Sequence, residues 1–165
     1  MARNTKKEAG ISSDKLHRFY LKRSWDSDKD TLGWIMLNPS TADSKVDDPT
    51  VRKCVGFAKR WGYGSILIGN LFSYRSPSPR LLKALLQKDT NCDEADEELV
   101  SMIRSCSKVV VGWGANGQFY AGRVSEVRDL ILSSGVESVS LGTTMAGHPK
   151  HPLYVPYVVK TEAWP

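Results

Sequence analysis

The side chains best suited to chemistry lie in short segments that follow apolar runs. Asn38-Pro39 ends one apolar run, Asn70 ends another, and His148 and His151 are two of the three histidines in the chain. A carboxamide at a strand end can hold a water or read a ligand edge through one donor group and one acceptor, although Asn-Pro also suits a simple turn. Imidazole can donate to a developing anion or transfer a proton near neutral pH. We therefore expect these segments to carry the function.

Aromatic and basic residues accompany these segments. Phe72 and Tyr74 follow Asn70 in a loop where they could stack on a base, although aromatic residues, Trp113 among them, are more often core. Several basic side chains could contact phosphates, although an ordinary solvent-exposed position is the default expectation for each. They are Lys6, Lys7, Arg75, Arg80 and Lys150.

Other chemistries find little support in the sequence. The three cysteines, Cys54, Cys92 and Cys106, lack metal-ligand or disulfide-framework spacing and are expected to be reduced thiols. A metal site would have to recruit an aspartate from a distant loop, so we predict no metal. Neither a Gly-x-Ser-x-Gly elbow nor a Walker loop occurs, and residues 112–117 match a dinucleotide fingerprint only in spacing. We expect no cofactor.

Hydrophobic patterning predicts the elements that position these residues. Apolar runs predict strands at residues 31–37, 65–70, 109–113 and 135–141, after a first strand near residues 19–25. Helical spacing predicts helices near residues 49–61, 80–87, 93–104 and 119–133, the first of them capped by Asp48. This alternation predicts a three-layer α/β/α fold with a mostly parallel four-stranded sheet, whose loops converge at the carboxyl edge.

Length and composition fit one soluble domain. The chain has 165 residues, of which 41% are hydrophobic and 25% charged. Residues 1–13 are basic and almost free of apolar side chains, so we expect a flexible arm before a single α/β domain at residues 14–165. No apolar run approaches the roughly 20 residues of a membrane span, which predicts a cytoplasmic protein with no membrane partner. The net charge of +5 favours a polyanionic partner.

Four segments resemble an uncharacterised family of small bacterial and phage proteins. They read MLNPSTAD, DDPTVRKC, GNLFSYRSPSP and GHPKHPLYV, and the resemblance extends over about residues 16–160. The order of the motifs is also remotely similar to the uracil-DNA glycosylase superfamily, which implies a parallel four-stranded sheet with the DNA site at its carboxyl edge. The chain lacks that superfamily's Gly-Gln-Asp-Pro-Tyr-His motif and its iron-sulfur cysteines, and Lys150 replaces a serine.

The superfamily resemblance implies a role for each motif. Asn38 would position the attacking water, Asn70 would read the base edge, and either His148 or His151 would stabilise the departing base. Asp43 or Asp48 could assist the water, because an asparagine cannot take its proton. Phe72 and Tyr74 would stack on the base, and further contacts to DNA would come from Ser40, Thr41, Arg75 and Lys150.

These expectations lead to a monofunctional DNA glycosylase that leaves an abasic site. The missing uracil motif points to a modified base, such as a hypermodified cytosine of phage DNA, with a role in antiviral defence. No obligate protein partner is expected. The alternatives are a non-catalytic nucleic-acid or nucleotide-binding module of the same fold, and an interaction protein whose basic surface binds an acidic partner.

Overall fold

Seven strands in the described part of the chain form one mixed sheet. The computed structural model describes residues 4–40, 42–76, 78, 80 and 93–165. The strands are β1 (Lys6–Ile11), β2 (Arg18–Ser24), β3 (Thr31–Met36), β4 (Ser65–Asn70), β5 (Lys108–Val111), β6 (Glu137–Ser140) and β7 (Glu162–Ala163). Their spatial order is β1-β2-β4-β3-β5-β6-β7.

The centre of the sheet matches the sequence pattern, but its edges do not. The first predicted strand, near residues 19–25, is β2, and the other four are β3, β4, β5 and β6. The pairs β3/β4, β3/β5 and β5/β6 are parallel. The prediction of a mostly parallel four-stranded sheet is wrong, because β1/β2, β2/β4 and β6/β7 are antiparallel pairs. The edge strands β1 and β7 are held by backbone hydrogen bonds and bury few side chains, so they leave a weak hydrophobic signal.

The prediction of a flexible arm at residues 1–13 is also wrong for most of that segment. Lys6 pairs with Ser24 and Gly10 pairs with Tyr20, so β1 forms an antiparallel hairpin with β2. Backbone pairing needs no apolar side chains, and charged residues such as Lys6 are typical of an edge strand. The boundary predicted at residue 14 therefore falls inside the loop of this hairpin.

Three helices follow the predicted positions closely. They are α1 (Pro49–Arg60), α2 (Asp93–Arg104) and α3 (Ala121–Ser134). Asp48 caps α1, and its Oδ1 accepts from Val51 N at 2.8 Å. The start of the predicted helix at residues 119–133 is instead part of a 3₁₀ turn, Ala115–Tyr120. The helix predicted at residues 80–87 lies outside the described residues, except for Arg80.

Two hydrophobic clusters fix the layers. On one face of the sheet, Trp34 and Ile66 pack with Phe57 of α1. On the other face, Ile35 packs with side chains of α2 and α3, including Ile131. Helices thus cover both faces of the central sheet. A binding site is therefore expected at the ends of the strands, where loops follow them. Within the described ranges, no helix combines the length and apolar character that a membrane span requires.

Candidate functional site

Loops from the parallel strands meet at one edge of the sheet. Met36 and Asn70 lie opposite each other at the carboxyl ends of β3 and β4. Gly114, after β5, donates its N–H to Pro149 O at 2.9 Å and so ties its loop to residues 147–155. Parallel strands direct their carboxyl ends to the same edge. The predicted convergence of these loops is therefore found in the structure.

These loops surround a cavity of about 630 Å³. That volume lies within the range typical of small-molecule sites. Apolar side chains, such as Met36 and Ile68, form part of its wall. Its polar lining includes Arg18, Asn38, Ser40, Asp48, Asn70 and His151.

Asn38 is oriented by two backbone carbonyls. Its Nδ2 donates to Ser76 O at 2.8 Å and to Pro39 O at 3.1 Å. These contacts identify which end of the amide is the nitrogen, and they leave Oδ1 as the group that can accept from a water. An aspartate here would set a carboxylate oxygen against two carbonyl oxygens, which gives a local reason for asparagine.

Asn70 ends β4 as a buried side chain at the cavity. Its Nδ2 is buried and has no hydrogen-bond partner among the described residues. Leaving such a donor unpaired costs about 1 to 3 kcal/mol. A ligand with an acceptor at this position would recover that energy, which fits the predicted role in reading a ligand edge.

The two histidines of residues 147–155 have different surroundings. His151 lines the cavity, whereas His148 is not part of its lining. The His151 Nδ1 accepts from Leu153 N at 3.2 Å, so the proton of the neutral ring is on Nε2. Burial lowers the pKa of His151, against an opposing effect of Asp48. His151 is therefore a neutral donor, and it is the histidine that the structure brings together with Asn38 and Asn70.

The two candidate carboxylates are also separated by the structure. Asp48 lines the cavity, and its Oδ2 accepts from Ser40 Oγ at 2.5 Å. Asp43 does not line the cavity, and its Oδ1 accepts from the backbone N–H groups of Lys45 and Val46. Those bonds lower the pKa of Asp43. The prediction that Asp43 belongs to the site is not supported by its position, and Asp48 is the better candidate.

The predicted stacking residues lie away from the cavity lining. Phe72 is buried in the core and packs edge-on against Tyr120, with ring centroids 5.0 Å apart. Tyr74 packs edge-on against His17 at 5.7 Å. The loop after β4 folds back towards the hairpin of β1 and β2, which turns both rings from the cavity. The aromatic side chain in the cavity wall is Trp113, and Tyr154 at the mouth is 82% exposed.

The predicted DNA contacts divide in the same way. Ser40 and Lys150 line the cavity, and Lys150 is exposed. Arg75 is not in the lining, and its Nη1 donates to Lys15 O at 3.3 Å. Thr41 lies outside the described residues. Cys54 and Cys106 are free thiols whose pKa is raised by burial, while Cys92 is not described.

Sequence analysis missed Arg18, which lines the same cavity. It begins β2 and is 3% exposed. Its Nη1 donates to Ala42 O at 2.7 Å, but its buried Nε has no partner among the described residues. Burial lowers the pKa of Arg18 to about 10, although the nearby Asp48 opposes this effect. Sequence offered no signal for it, because Arg18 stands in a segment with other basic residues and outside every motif.

Comparison with family models gives a match that covers most of the chain. Residues 18–153 match the family described as "Protein of unknown function (DUF1643)". The chain belongs to this family. The predicted membership of an uncharacterised family is thereby confirmed. Comparisons with curated proteins and with solved structures gave no significant match. The similarity to uracil-DNA glycosylases therefore stays a prediction from the motifs.

Proposed function

We propose that the cavity receives a modified base extruded from DNA, and that the protein hydrolyses its N-glycosidic bond. The observation that carries this proposal is that Asn38, Asn70 and His151 come from three separate segments of the chain and line one cavity. These are three of the residues to which the motif resemblance assigns roles. Extrusion of a base into such a pocket is stabilised by polar contacts to its edge.

Each side chain has a separate task in the proposed reaction. Asn70 hydrogen-bonds the base edge. Asn38 Oδ1 holds a water near the sugar carbon, and the water oxygen forms a bond to that carbon as the glycosidic bond breaks. The bonding electron pair leaves with the base, where His151 Nε2–H donates to the developing anion. A donor of this kind contributes a factor of about 10² to 10³ in rate.

The proton of the attacking water goes to Asp48 in this mechanism. Two acceptor sites of the Asp48 carboxylate bind Val51 N and Ser40 Oγ. A carboxylate has about four such sites, so acceptor capacity remains. Asp48 thus supplies the proton acceptor that Asn38 cannot be. The product is an abasic site, and we propose hypermodified phage cytosine as the target base and antiviral defence as the setting.

An abasic-site assay with an aldehyde-reactive reagent tests this proposal. The substrates are unmodified DNA, uracil-containing DNA and phage DNA with modified cytosine. We expect aldehydes on the modified DNA, and a loss of about 10²-fold or more in rate for His151→Gln. His148→Gln is the matched control and should retain most of the activity. Equal losses in both variants, or no aldehydes on any substrate, would contradict the proposal.

A second pair of variants tests the carboxylate. Asp48→Asn keeps an oxygen that can cap α1 but removes the proton acceptor, so excision should be lost while the fold remains. Asp43→Asn is the control, since Asp43 lies outside the cavity lining. Retained excision in Asp48→Asn would remove Asp48 from the mechanism.

A non-catalytic nucleotide-binding module is the second candidate. It is favoured by Asn38, which cannot accept a proton and whose Nδ2 is bonded to carbonyls. This candidate predicts that modified DNA binds with a dissociation constant that rises with salt, while no aldehyde forms. Loss of that binding in Asn70→Leu would support it.

A further inference from the structure

Three residues that line the cavity have a buried donor without a partner. Arg18 Nε, Asn70 Nδ2 and Trp113 Nε1 are each buried and lack a hydrogen-bond partner in the described part of the chain. Buried polar groups are otherwise almost always hydrogen-bonded. All three groups are N–H donors, so the partner they require is an acceptor, and at Arg18 the donor carries a positive charge.

Comparison with a second buried arginine, Arg23, and with the partly buried Arg123 shows how unusual Arg18 is. Arg23 is 0% exposed, and its Nε contacts Asp47 Oδ1 at 2.7 Å. Arg123 contacts both Asp96 and Glu126. Arg18 forms no such ion pair with a described residue, and the one side-chain hydrogen bond that it forms there is to the carbonyl of Ala42. Two of these three arginines thus have a carboxylate partner, whereas Arg18 faces a cavity.

Asp48 forms no direct ion pair with Arg18. The two groups interact at a distance, but the Asp48 carboxylate binds Ser40 Oγ and Val51 N. Burial still lowers the pKa of Arg18 to about 10, so the effect of desolvation is larger than that of Asp48. Burying a charge is costly unless the charge is paired, and a group whose pKa is strongly shifted in a cleft is a candidate for a functional site.

We propose that Arg18 binds an anionic oxygen of the ligand that occupies this cavity. Two sources share this chemistry: the phosphate of a nucleotide, and the oxyanion of a released pyrimidine base. The inference deepens the proposed function by naming a charge that the ligand must carry, and it rests on that function for the nucleotide class. Its test measures binding and needs no excision, so the two proposals fail separately.

Calorimetric titration at pH 7 with two matched ligand pairs tests the inference. Deoxycytidine monophosphate is compared with deoxycytidine for the phosphate, and barbiturate, an anion at this pH, is compared with neutral uracil for the base oxyanion. A charge-assisted hydrogen bond to a buried arginine should make the anion of one pair bind at least about tenfold more tightly. The pair that shows this preference identifies the source.

Three variants link the preference to Arg18. Arg18→Met should abolish it, and Arg18→Lys, which keeps a charge on a shorter donor, should retain part of it. Arg128→Met is the matched control, because it removes one positive charge from the exposed surface of α3 and should leave the preference unchanged. Circular dichroism of each variant verifies the fold. The inference is wrong if no anionic ligand is preferred, or if Arg18→Met keeps the preference.

Discussion

Arg18→Met should change the stability of the folded chain little, whereas Arg23→Met should lower it by about 3 to 5 kcal/mol. Both arginines lie on β2 and are almost fully buried. Arg23 contacts Asp47 Oδ1 and several carbonyl oxygens, including Asp43 O and Lys22 O. Removing it leaves these carbonyl oxygens without this donor, and it leaves Asp47 with Lys7 as its cationic partner.

Arg18→Met should affect the stability less than Arg23→Met because Arg18 has no ion pair with a described residue to lose. Burial lowers its pKa to about 10, and relative to an ordinary arginine this corresponds to a cost of about 3 kcal/mol for the charged form. Losing the bond to Ala42 O costs about 1 to 3 kcal/mol. The two effects nearly cancel, so the free energy of unfolding should change by less than about 2 kcal/mol. Because the folded pKa is depressed, the cost in the wild type should be fully present below a pH of about 10 and should decrease as pH rises through that value.

Urea unfolding at pH 7, followed by circular dichroism, measures both variants. We expect Arg23→Met to unfold at lower urea than Arg18→Met, with a difference in unfolding free energy of at least about 2 kcal/mol. In heating experiments each kcal/mol should correspond to about 2 to 4 °C for a chain of this size. If Arg18→Met loses as much stability as Arg23→Met, Arg18 has a structural counter-ion and the argument for a ligand anion is refuted.

Three further substitutions test the site and its supports. Asp48→Ala should lower the unfolding free energy by about 1 kcal/mol through loss of the α1 cap, and Asp48→Asn should not; equal urea midpoints for the two would contradict this. Gly117→Ala should cost about 1 to 3 kcal/mol, since its Cβ would lie 2.4 Å from Trp113 Cδ1, while Gly122→Ala, with nothing within 4 Å, should be neutral or stabilising in thermal melts. His151 has a lowered pKa, so the unfolded chain is protonated first and stability should fall as pH drops below about 6.5; His151→Gln should flatten that pH dependence in urea titrations.

The elements that sequence predicted best are those whose burial is complete. β4 is buried at all six positions, and its apolar run is readable without knowing its neighbours. Helix α1 is equally readable, because Asp48-Pro49 marks its start and four buried side chains mark its inner face. In both cases one segment contains the whole signal.

The edge strands were not readable in this way. β1 contains Lys6, Lys7 and Glu8, and its position depends on backbone pairing with β2. The pattern of charges that suggested a flexible arm is equally suited to the edge of a sheet. Strand pairing across a hairpin is a tertiary property, so composition of the segment alone does not distinguish the two.

The candidate site shows the same division between local and tertiary information. Asn38 and Asn70 were predicted as site residues because each lies at the end of an apolar run. The carboxyl ends of parallel strands lie at the same edge of a sheet, regardless of how the loops beyond them pack. Phe72 and Tyr74 were predicted for the same reason, but rings beyond a strand end can turn either way. Packing against Tyr120 and His17 turns them from the cavity.

Arg18 shows most clearly what a sequence cannot reveal. Its side chain has the same type as Arg23, on the same strand, and both are buried. What separates them is the presence of Asp47 beside Arg23 and of a cavity beside Arg18. A folded protein tolerates the cost of a buried charge when a partner offsets it. For Arg23 that partner belongs to the chain, and for Arg18 the cavity is where a ligand anion would supply it.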